Sequence, residues 1–406
     1  MNERENDFDR CKFAFNSRVQ SDPQWVGPQY AFLEDSDMLD FHRSLDGYAP
    51  TPLVSVPRLA AQLGVGELVV KDESHRFGIK AFKALGASYA IYRFLKSQWE
   101  TRVGHSTAFT PGSFQDPAVL SALGSFTFCA ATDGNHGRAV AWTAKKLNQR
   151  AVIYMPADTT QARIAAIEGE GADVILVSGT FDDCVDRCAA DAARNGWYAI
   201  SDTAYPGYTE IPKYIMLGYT SLFREMEDTL HRPGPGEAPL LDIVCLPAGV
   251  GGIAAAGTSY YVRRYGAKRP FLVCVEPSDC DCFLESVKYG NGEALPARGK
   301  QGSIMVGLNC GIPSPIAWPI VRDGMHGFLA VTDHYAMDAM RAYHGEHIVS
   351  GESGSAGLAG LIALMRDPLL PEAREKMGIG PHSRILLINT EGDTDPLNYQ
   401  KIIQNS

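Results

Sequence analysis

Three lysines lie close together in the stretch KDESHRFGIKAFKALG, which covers residues 71–86. Residues 67–71 form a short apolar run typical of a buried strand, and apolar side chains recur at helical spacing from Phe82 to Phe94. Lys83 therefore lies where a strand has turned into a helix, beside an aromatic side chain. A solvated basic surface is the commoner explanation for such lysines, but an amine among apolar neighbours can lose its water and become a nucleophile. Lys83 is our first candidate catalytic residue.

Two turns between a predicted strand and a predicted helix have the composition of anion sites. TDGNHG covers residues 132–137 and contains Asp133 and Asn135, whereas AGVGG covers residues 248–252. Backbone N–H groups at a helix N-terminus attract anions, and glycine lets the backbone approach a phosphate closely. Both turns also have a structural explanation, because glycines permit a tight turn and Asp133 or Asn135 could cap the helix. The second turn matches neither the Walker A nor the GxGxxG pattern.

Polar residues follow two further predicted strands. SDTAY, residues 201–205, contains Asp202, and TEGDTD, residues 390–395, begins with Thr390. In open α/β sheets, ligands bind at the carboxyl ends of the strands. A phosphate-binding turn combined with a lysine at a strand-to-helix turn suggests pyridoxal 5′-phosphate, which forms a Schiff base with a lysine amine.

These candidates need a scaffold that brings strand ends together, and the chain predicts one. The predicted strands are residues 67–71, 126–131, 151–155, 174–177, 197–201, 241–246, 271–275 and 384–388, and the predicted helices are residues 82–94, 137–147, 160–170, 182–194, 252–265 and 356–366. Such alternation predicts an α/β fold with open, doubly wound, mostly parallel sheets. Residues 98–125, rich in Gly, Pro, Ser and Thr, interrupt the alternation and are predicted to be an inserted surface loop.

The bulk composition argues against several classes of protein. The 406 residues suffice for two domains or one large α/β unit, and a hydrophobic content of 45% is ordinary for a globular protein. A net charge of −10 and a pI near 5.5 argue against nucleic-acid binding. The longest apolar stretch, residues 240–262, is interrupted by Asp242, Pro247 and glycines, so we expect no membrane span. The charged N-terminus and nine cysteines without zinc spacing predict a cytoplasmic protein with reduced thiols and no metal site.

The order of the motifs resembles one family. AFK at residues 81–83, followed by TDGNHG, SDTAY, AGVGG and TEGDTD, is similar to the fold-type II pyridoxal phosphate enzymes, the tryptophan synthase β-like family. Within it, KDES, DGNHGR, AVIYMP, SGESG and TEGDTD most closely resemble the diaminopropionate ammonia-lyases, over about residues 45–400. The chain departs from that pattern at Lys80 and Tyr205, where asparagine and tryptophan are expected.

The resemblance implies a fold-type II enzyme with a large and a small domain. We place the large cofactor-binding domain at residues 1–96 and 205–406, and the small domain at residues 97–204. A homodimer with a small amino-acid substrate is also implied.

The resemblance further implies where the cofactor is bound. Lys83 would form the Schiff base, Asn135 would bind the phenolic oxygen, and Thr390 would face the pyridine nitrogen. The phosphate would bind to the backbone N–H groups of four consecutive residues, Gly249, Val250, Gly251 and Gly252.

The implied activity is α,β-elimination of 2,3-diaminopropionate to pyruvate and two ammonia. This substrate has an ammonium on its β-carbon, which carboxylates could attract and whose proton they could manage. Asp133 and Asp202 are the two acids that the motifs place at the cofactor. With Lys83 serving one face of Cα and an aspartate the other, both enantiomers could react. Two alternatives stay open: a fold-type II enzyme for another β-substituted amino acid, by elimination or replacement, and a non-catalytic relative.

Overall fold

The computed structural model describes residues 9–20, 33, 37–104, 109–132, 134–230 and 238–404, and it divides into two compact units. The described residues of the first unit come from Met1–Ala31, Pro50–His75 and Leu222–Ser406, and those of the second from Phe32–Ala49 and Arg76–Ser221. Residues 76–96 thus belong to the smaller unit, whereas the sequence prediction put residues 1–96 in the large domain. The boundaries of the functional domains stay a prediction.

The elements alternate along the described chain as an α/β fold requires. The strands are β1 Lys12–Phe15, β2 Leu53–Ser55, β3 Glu67–Asp72, β4 Thr127–Ala131, β5 Arg150–Pro156, β6 Asp173–Val177, β7 Tyr198–Ala199, β8 Ile243–Pro247, β9 Phe271–Pro277, β10 Gly327–Val331 and β11 Arg384–Asn389. The helices are α1 Met38–Ser44, α2 Pro57–Leu63, α3 Lys83–Val103, α4 Pro117–Leu123, α5 Asn135–Lys146, α6 Gln161–Glu168, α7 Phe181–Asn195, α8 Glu210–Thr229, α9 Gly252–Tyr265, α10 Cys282–Tyr289, α11 Trp318–Gly324, α12 Asp333–Gly345, α13 Ala356–Arg366, α14 Pro371–Lys376 and α15 Pro396–Gln404.

The first unit contains a seven-stranded sheet in the order β1-β10-β9-β8-β11-β3-β2. Its five inner strands are parallel to one another. The edge strands β1 and β2 pair antiparallel with β10 and β3. All residues of β8 and β10 are buried, as expected of parallel strands that helices cover on both faces. Helix α13 packs on the sheet closely enough that a Cβ on Gly360 would lie 3.0 Å from Val275.

The second unit contains a four-stranded parallel sheet in the order β6-β5-β4-β7. Strands on both sides of β4 follow it in the chain, so the strand order reverses at β4. The predicted α/β fold with two open, mostly parallel sheets is therefore confirmed. Since β4 and β7 are parallel neighbours, the residues that follow them lie at the same edge of this sheet.

The sequence prediction found the long apolar elements and missed others. It ended the helix after Lys83 at Phe94, whereas α3 continues to Val103. Within residues 98–125, predicted as loop, the structure also has α4 and a 3-10 turn at Pro111–Gln115. Asp116 caps α4 by accepting a hydrogen bond from Ala118 N at 2.8 Å, and Pro117 is its first residue. The sequence pair Asp116-Pro117 could therefore have predicted the start of this helix. Whether residues 98–125 are an insertion stays a prediction.

Helices α3 and α8 cross at two glycines in the second unit. A Cβ on Gly86 would lie 2.5 Å from Cε1 of Tyr219, and one on Gly218 would lie 2.3 Å from the carbonyl oxygen of Leu85. Buried His42 links the same two helices. Its Nε2 donates to Leu85 O at 2.9 Å, because a carbonyl can only accept, and its Nδ1 lies 2.8 Å from Ser221 Oγ. The two helices are therefore held in backbone contact.

No helix among the described residues is long and apolar enough to cross a membrane.

This crossing predicts that Gly218→Ala lowers the free energy of unfolding by about 2 kcal/mol, because overpacking typically costs about 1–3 kcal/mol and a backbone carbonyl cannot move aside cheaply. Urea unfolding measures it. Gly112→Ala is the control, because its added Cβ would meet only Thr110 Oγ1, at 3.7 Å. Equal stability of Gly218→Ala and the control would contradict the close approach.

Candidate active site

The side chain of Lys83 pairs with that of Asp202 in the second unit. Lys83 is the first residue of α3, and its Nζ donates a hydrogen bond to Oδ2 of Asp202 at 2.6 Å. The two side chains are 17% and 21% exposed, so the pair is neither fully buried nor freely solvated. In the KDESHRFGIKAFKALG stretch, Lys83 is thus a partly buried lysine that pairs with Asp202 and lies beside the ring of Phe82. Lys71 is instead engaged in a buried ion pair with Glu225 at 2.8 Å.

The electrostatic environment keeps Asp202 ionised. Burial acts to raise the pKa of this carboxyl and is the largest single effect, but the ammonium of Lys83, followed by smaller effects of His136 and of hydrogen bonds, together outweigh it. The hydrogen bond from Lys83 lowers the pKa of Asp202 further, to well below its ordinary range. Asp202 is therefore a carboxylate at neutral pH and available to a cationic group.

His136, which the sequence prediction did not single out, fixes the position of the residues before Asp202. Its Nε2 donates to the carbonyl oxygen of Ile200 at 2.6 Å. The ring is buried, and its Nδ1 has no hydrogen-bond partner among the described residues. Burial lowers the pKa of His136, although Asp202 acts to raise it. The only sequence signal for this role was the histidine of TDGNHG itself, and the Ile200 carbonyl that it contacts lies 64 residues away.

Tyr208 organises the other side of the same loop. Its hydroxyl donates to Ala199 O at 2.8 Å and accepts from Ser201 N at 2.9 Å. The loop after β7 is thus tied to the end of its own strand. These hydrogen bonds fix the backbone next to Asp202, whose side chain contacts Lys83.

The start of α5 is capped by Thr132. Its Oγ1 accepts hydrogen bonds from Gly134 N at 3.0 Å and from Gly137 N at 3.1 Å. Asn135 is the first residue of α5 and not its cap, so the capping explanation is wrong for this residue. Asn135 and Asp202 follow β4 and β7, which pair side by side. Asp133 lies outside the described residues.

In the first unit, the turn after β8 presents a row of unpartnered backbone donors. Among the described residues, none of the N–H groups of the four residues Gly249, Val250, Gly251 and Gly252 donates a hydrogen bond. The turn ends at the N-terminus of α9, where N–H groups point out of the helix. Gly251 has a φ of +97°, and a Cβ there would lie 2.3 Å from Cζ of Phe283. Only glycine fits this position without strain.

The turn is held from two sides. Ser314 N donates to Val250 O at 2.9 Å, and a Cβ on Gly249 would lie 2.9 Å from Sγ of Cys310 and 3.1 Å from Gly307 O. None of the nine cysteines forms a disulfide in the described structure, and Cys282 is not bonded to Cys310.

Thr390 lies at the same edge of the seven-stranded sheet as this turn. It is buried and directly follows β11, which is the parallel neighbour of β8. Within the first unit, the structure therefore brings the glycine turn and Thr390 to neighbouring strand ends.

The residues present fit pyridoxal phosphate. Four unpartnered N–H groups at a helix start suit a dianionic phosphate, and the amine of Lys83 suits an aldehyde. Among the described residues, no group of three or more His, Cys, Asp or Glu side chains could hold a metal ion.

Comparisons with known proteins agree with this chemistry. Residues 45–391 match the pyridoxal-phosphate dependent enzyme family. The diaminopropionate ammonia-lyase of Salmonella typhimurium is 34% identical over 403 residues, which cover 97% of this chain and 98% of the relative. The enzyme of that name from Escherichia coli is 38% identical over 370 residues, 89% of each chain. The crystal structure of Escherichia coli diaminopropionate ammonia lyase, in complex with an aminoacrylate-PLP azomethine reaction intermediate, matches with a TM-score of 0.82 and 34% identity over 97% of both chains. The chain therefore belongs to the family of pyridoxal-phosphate dependent enzymes.

Proposed function

We propose that this protein is a diaminopropionate ammonia-lyase, which converts 2,3-diaminopropionate to pyruvate and two ammonia. The observation that carries the proposal is the 2.6 Å contact between the amine of Lys83 and the carboxylate of Asp202. A base and an anion are thereby available at one place, as elimination of an amine requires. Similarity to ammonia-lyases of this name over nearly the whole chain supports the same substrate.

We assign the cofactor contacts from the family resemblance, with which the chemistry of the residues agrees. In the first unit, the N–H groups of residues 249–252 would bind the phosphate and Thr390 would face the pyridine nitrogen. In the second unit, Lys83 would carry the cofactor and Asn135 would bind its phenolic oxygen. The bound cofactor withdraws electrons from Cα of the substrate and so makes its proton acidic.

Lys83 would act as the base for one enantiomer. The helix dipole disfavours a cation at the N-terminus of α3, so it would favour the neutral, proton-accepting amine once the pairing of Lys83 with Asp202 is broken. Its Nζ would take the Cα proton on the face it occupies. Asp133 would serve the opposite face, so that both enantiomers react.

Asp202 would recognise the β-ammonium. Because its pKa is held well below the ordinary range, it is an anion at neutral pH and can attract the ammonium of the substrate. An amine leaves readily only while it is protonated, and an adjacent carboxylate stabilises that form. A hydroxy amino acid has no such charge to recognise.

We also propose that the protein is cytoplasmic and homodimeric. The nine free thiols, eight of them buried, support a reducing compartment. Support for the dimer comes from the family resemblance.

The proposed phosphate site predicts that Gly251→Asp binds pyridoxal phosphate at least about 100-fold more weakly than Gly251→Asn. Both substitutions introduce the same strain and the same contact with Phe283, so only the charge differs. Like charges about 4 Å apart repel by on the order of 4 kcal/mol near a protein surface. Titration of apo-protein with the cofactor measures the ratio. Equal affinities of the two variants would remove this turn from the phosphate site.

The proposed substrate predicts that Asp133→Asn and Asp202→Asn lose activity with diaminopropionate selectively. We expect a fall of about 10²–10⁴-fold in kcat/KM, typical of a lost acid or base, and a much smaller change with serine. Asp133→Asn should affect the D enantiomer more than the L enantiomer. Pyruvate formation from both enantiomers and from a panel of β-substituted alanines measures these effects.

The outcome separates the proposed function from its alternative. Asparagine keeps the shape and the capping ability of aspartate, so folding is expected to survive. If both variants turn over diaminopropionate at near wild-type rates, the ammonium-handling role is wrong. A wild-type enzyme that prefers another β-substituted alanine would replace the proposed substrate.

A further inference from the structure

Tyr219 on α8 has a buried hydroxyl that the proposed mechanism does not use. The residue is 1% exposed, and its Oη makes no hydrogen bond of good geometry among the described residues, although Lys83 lies near enough to act on it. Leaving a buried hydroxyl unpaired costs free energy, whereas phenylalanine would fill the same space without that cost. A buried hydroxyl at this position is therefore expected to have a hydrogen-bonding role.

The crossing of α3 and α8 directs this side chain to the start of α3. Gly86 and Gly218 let the two backbones approach, and the ring of Tyr219 fills the space that a Cβ on Gly86 would need. The same ring packs on that of Phe82, with centroids 4.6 Å apart. Nζ of Lys83 lies 5.4 Å from the centroid of the Phe82 ring. Tyr219 and the lysine amine thus share one aromatic neighbour.

Lys83 and Asp202 are the charged groups that act on this phenol. Burial raises the pKa of Tyr219 above its ordinary value, and the positive charge of Lys83 opposes that rise while Asp202 adds to it. The hydroxyl is therefore neutral at physiological pH. A neutral hydroxyl can accept a hydrogen bond from an ammonium and can donate one to a free amine.

We propose that Tyr219 is a positioning residue for Lys83, whose hydroxyl holds the lysine amine in both protonation states through the reaction. A carboxylate such as Asp202 can only accept, so it cannot donate to the lone pair of the neutral amine. The phenol supplies the missing donor, and its own proton stays on oxygen. This role rests on the proposed function of Lys83 as the amine that carries the cofactor and moves the Cα proton.

Tyr219→Phe tests the proposal because it removes one oxygen and keeps the packing. Tyr343→Phe is the matched control. Tyr343 is also fully buried with an unpartnered hydroxyl, but it lies on α12 in the core of the first unit. Three quantities are measured for both variants: the Tm of the apo-protein, the rate at which the visible absorbance of lysine-bound cofactor appears after pyridoxal phosphate is added, and kcat and KM for pyruvate formation.

We expect both variants to have a Tm equal to or above that of the wild type, because each loses an unpaired buried oxygen. In Tyr219→Phe, cofactor attachment and kcat should each be about 10-fold slower with KM unchanged, since one hydrogen bond is worth about a factor of ten. Tyr343→Phe should match the wild type in both.

Wild-type rates of attachment and of kcat in Tyr219→Phe would overturn the proposal. A Tm lowered in Tyr219→Phe but not in Tyr343→Phe would also overturn it, because the hydroxyl would then have a structural partner. Failure of the proposed function is distinct. If the wild type binds the cofactor but forms no pyruvate from diaminopropionate, the attachment rate still decides the role of Tyr219.

Discussion

A lysine ammonium at the N-terminus of a helix is in an electrostatically unfavourable place, and the carboxylate of Asp202 at 2.6 Å compensates for it. Both members of the pair depend on each other. Asp202 stays ionised because nearby positive charge and hydrogen bonds offset its burial, and its carboxylate in turn offsets the effect of the helix dipole on the Lys83 ammonium.

Other contacts in the second unit hold Lys83 and Asp202 in position. Asp202 is held through the backbone, since His136 binds Ile200 O and Tyr208 binds both Ala199 O and Ser201 N. Lys83 is held through its helix, which meets α8 at Gly86 and Gly218 with almost no space between the backbones. Lys83 Nζ and Asp202 Oδ2 are therefore positioned by contacts between other groups of the protein. Substitutions at such contacts are expected to act on catalysis without touching the reacting groups.

The sequence predicts this arrangement only in part, for physical reasons that differ between residues. Lys83, Asn135 and the glycine turn were legible because each lies where a strand gives way to a helix, and fully apolar runs such as β8 are strong local signals. The sequence does not predict the crossing of α3 with α8, because Gly86 and Gly218 are distant in the chain. Each glycine alone is only a residue of low helix propensity. Tyr219 was missed for the same reason. Its importance follows from what faces it across the crossing, and no local pattern contains that information.

We propose that Lys83, and neither of the two other lysines in its stretch, carries the cofactor. Reduction of the cofactor-loaded protein with borohydride, followed by proteolysis and mass spectrometry, tests this most directly. We expect the pyridoxyl group on Lys83, and we expect Lys83→Ala to have neither the label nor the visible absorbance of the bound cofactor. A label on Lys71 or Lys80, or an undiminished label in Lys83→Ala, would contradict it.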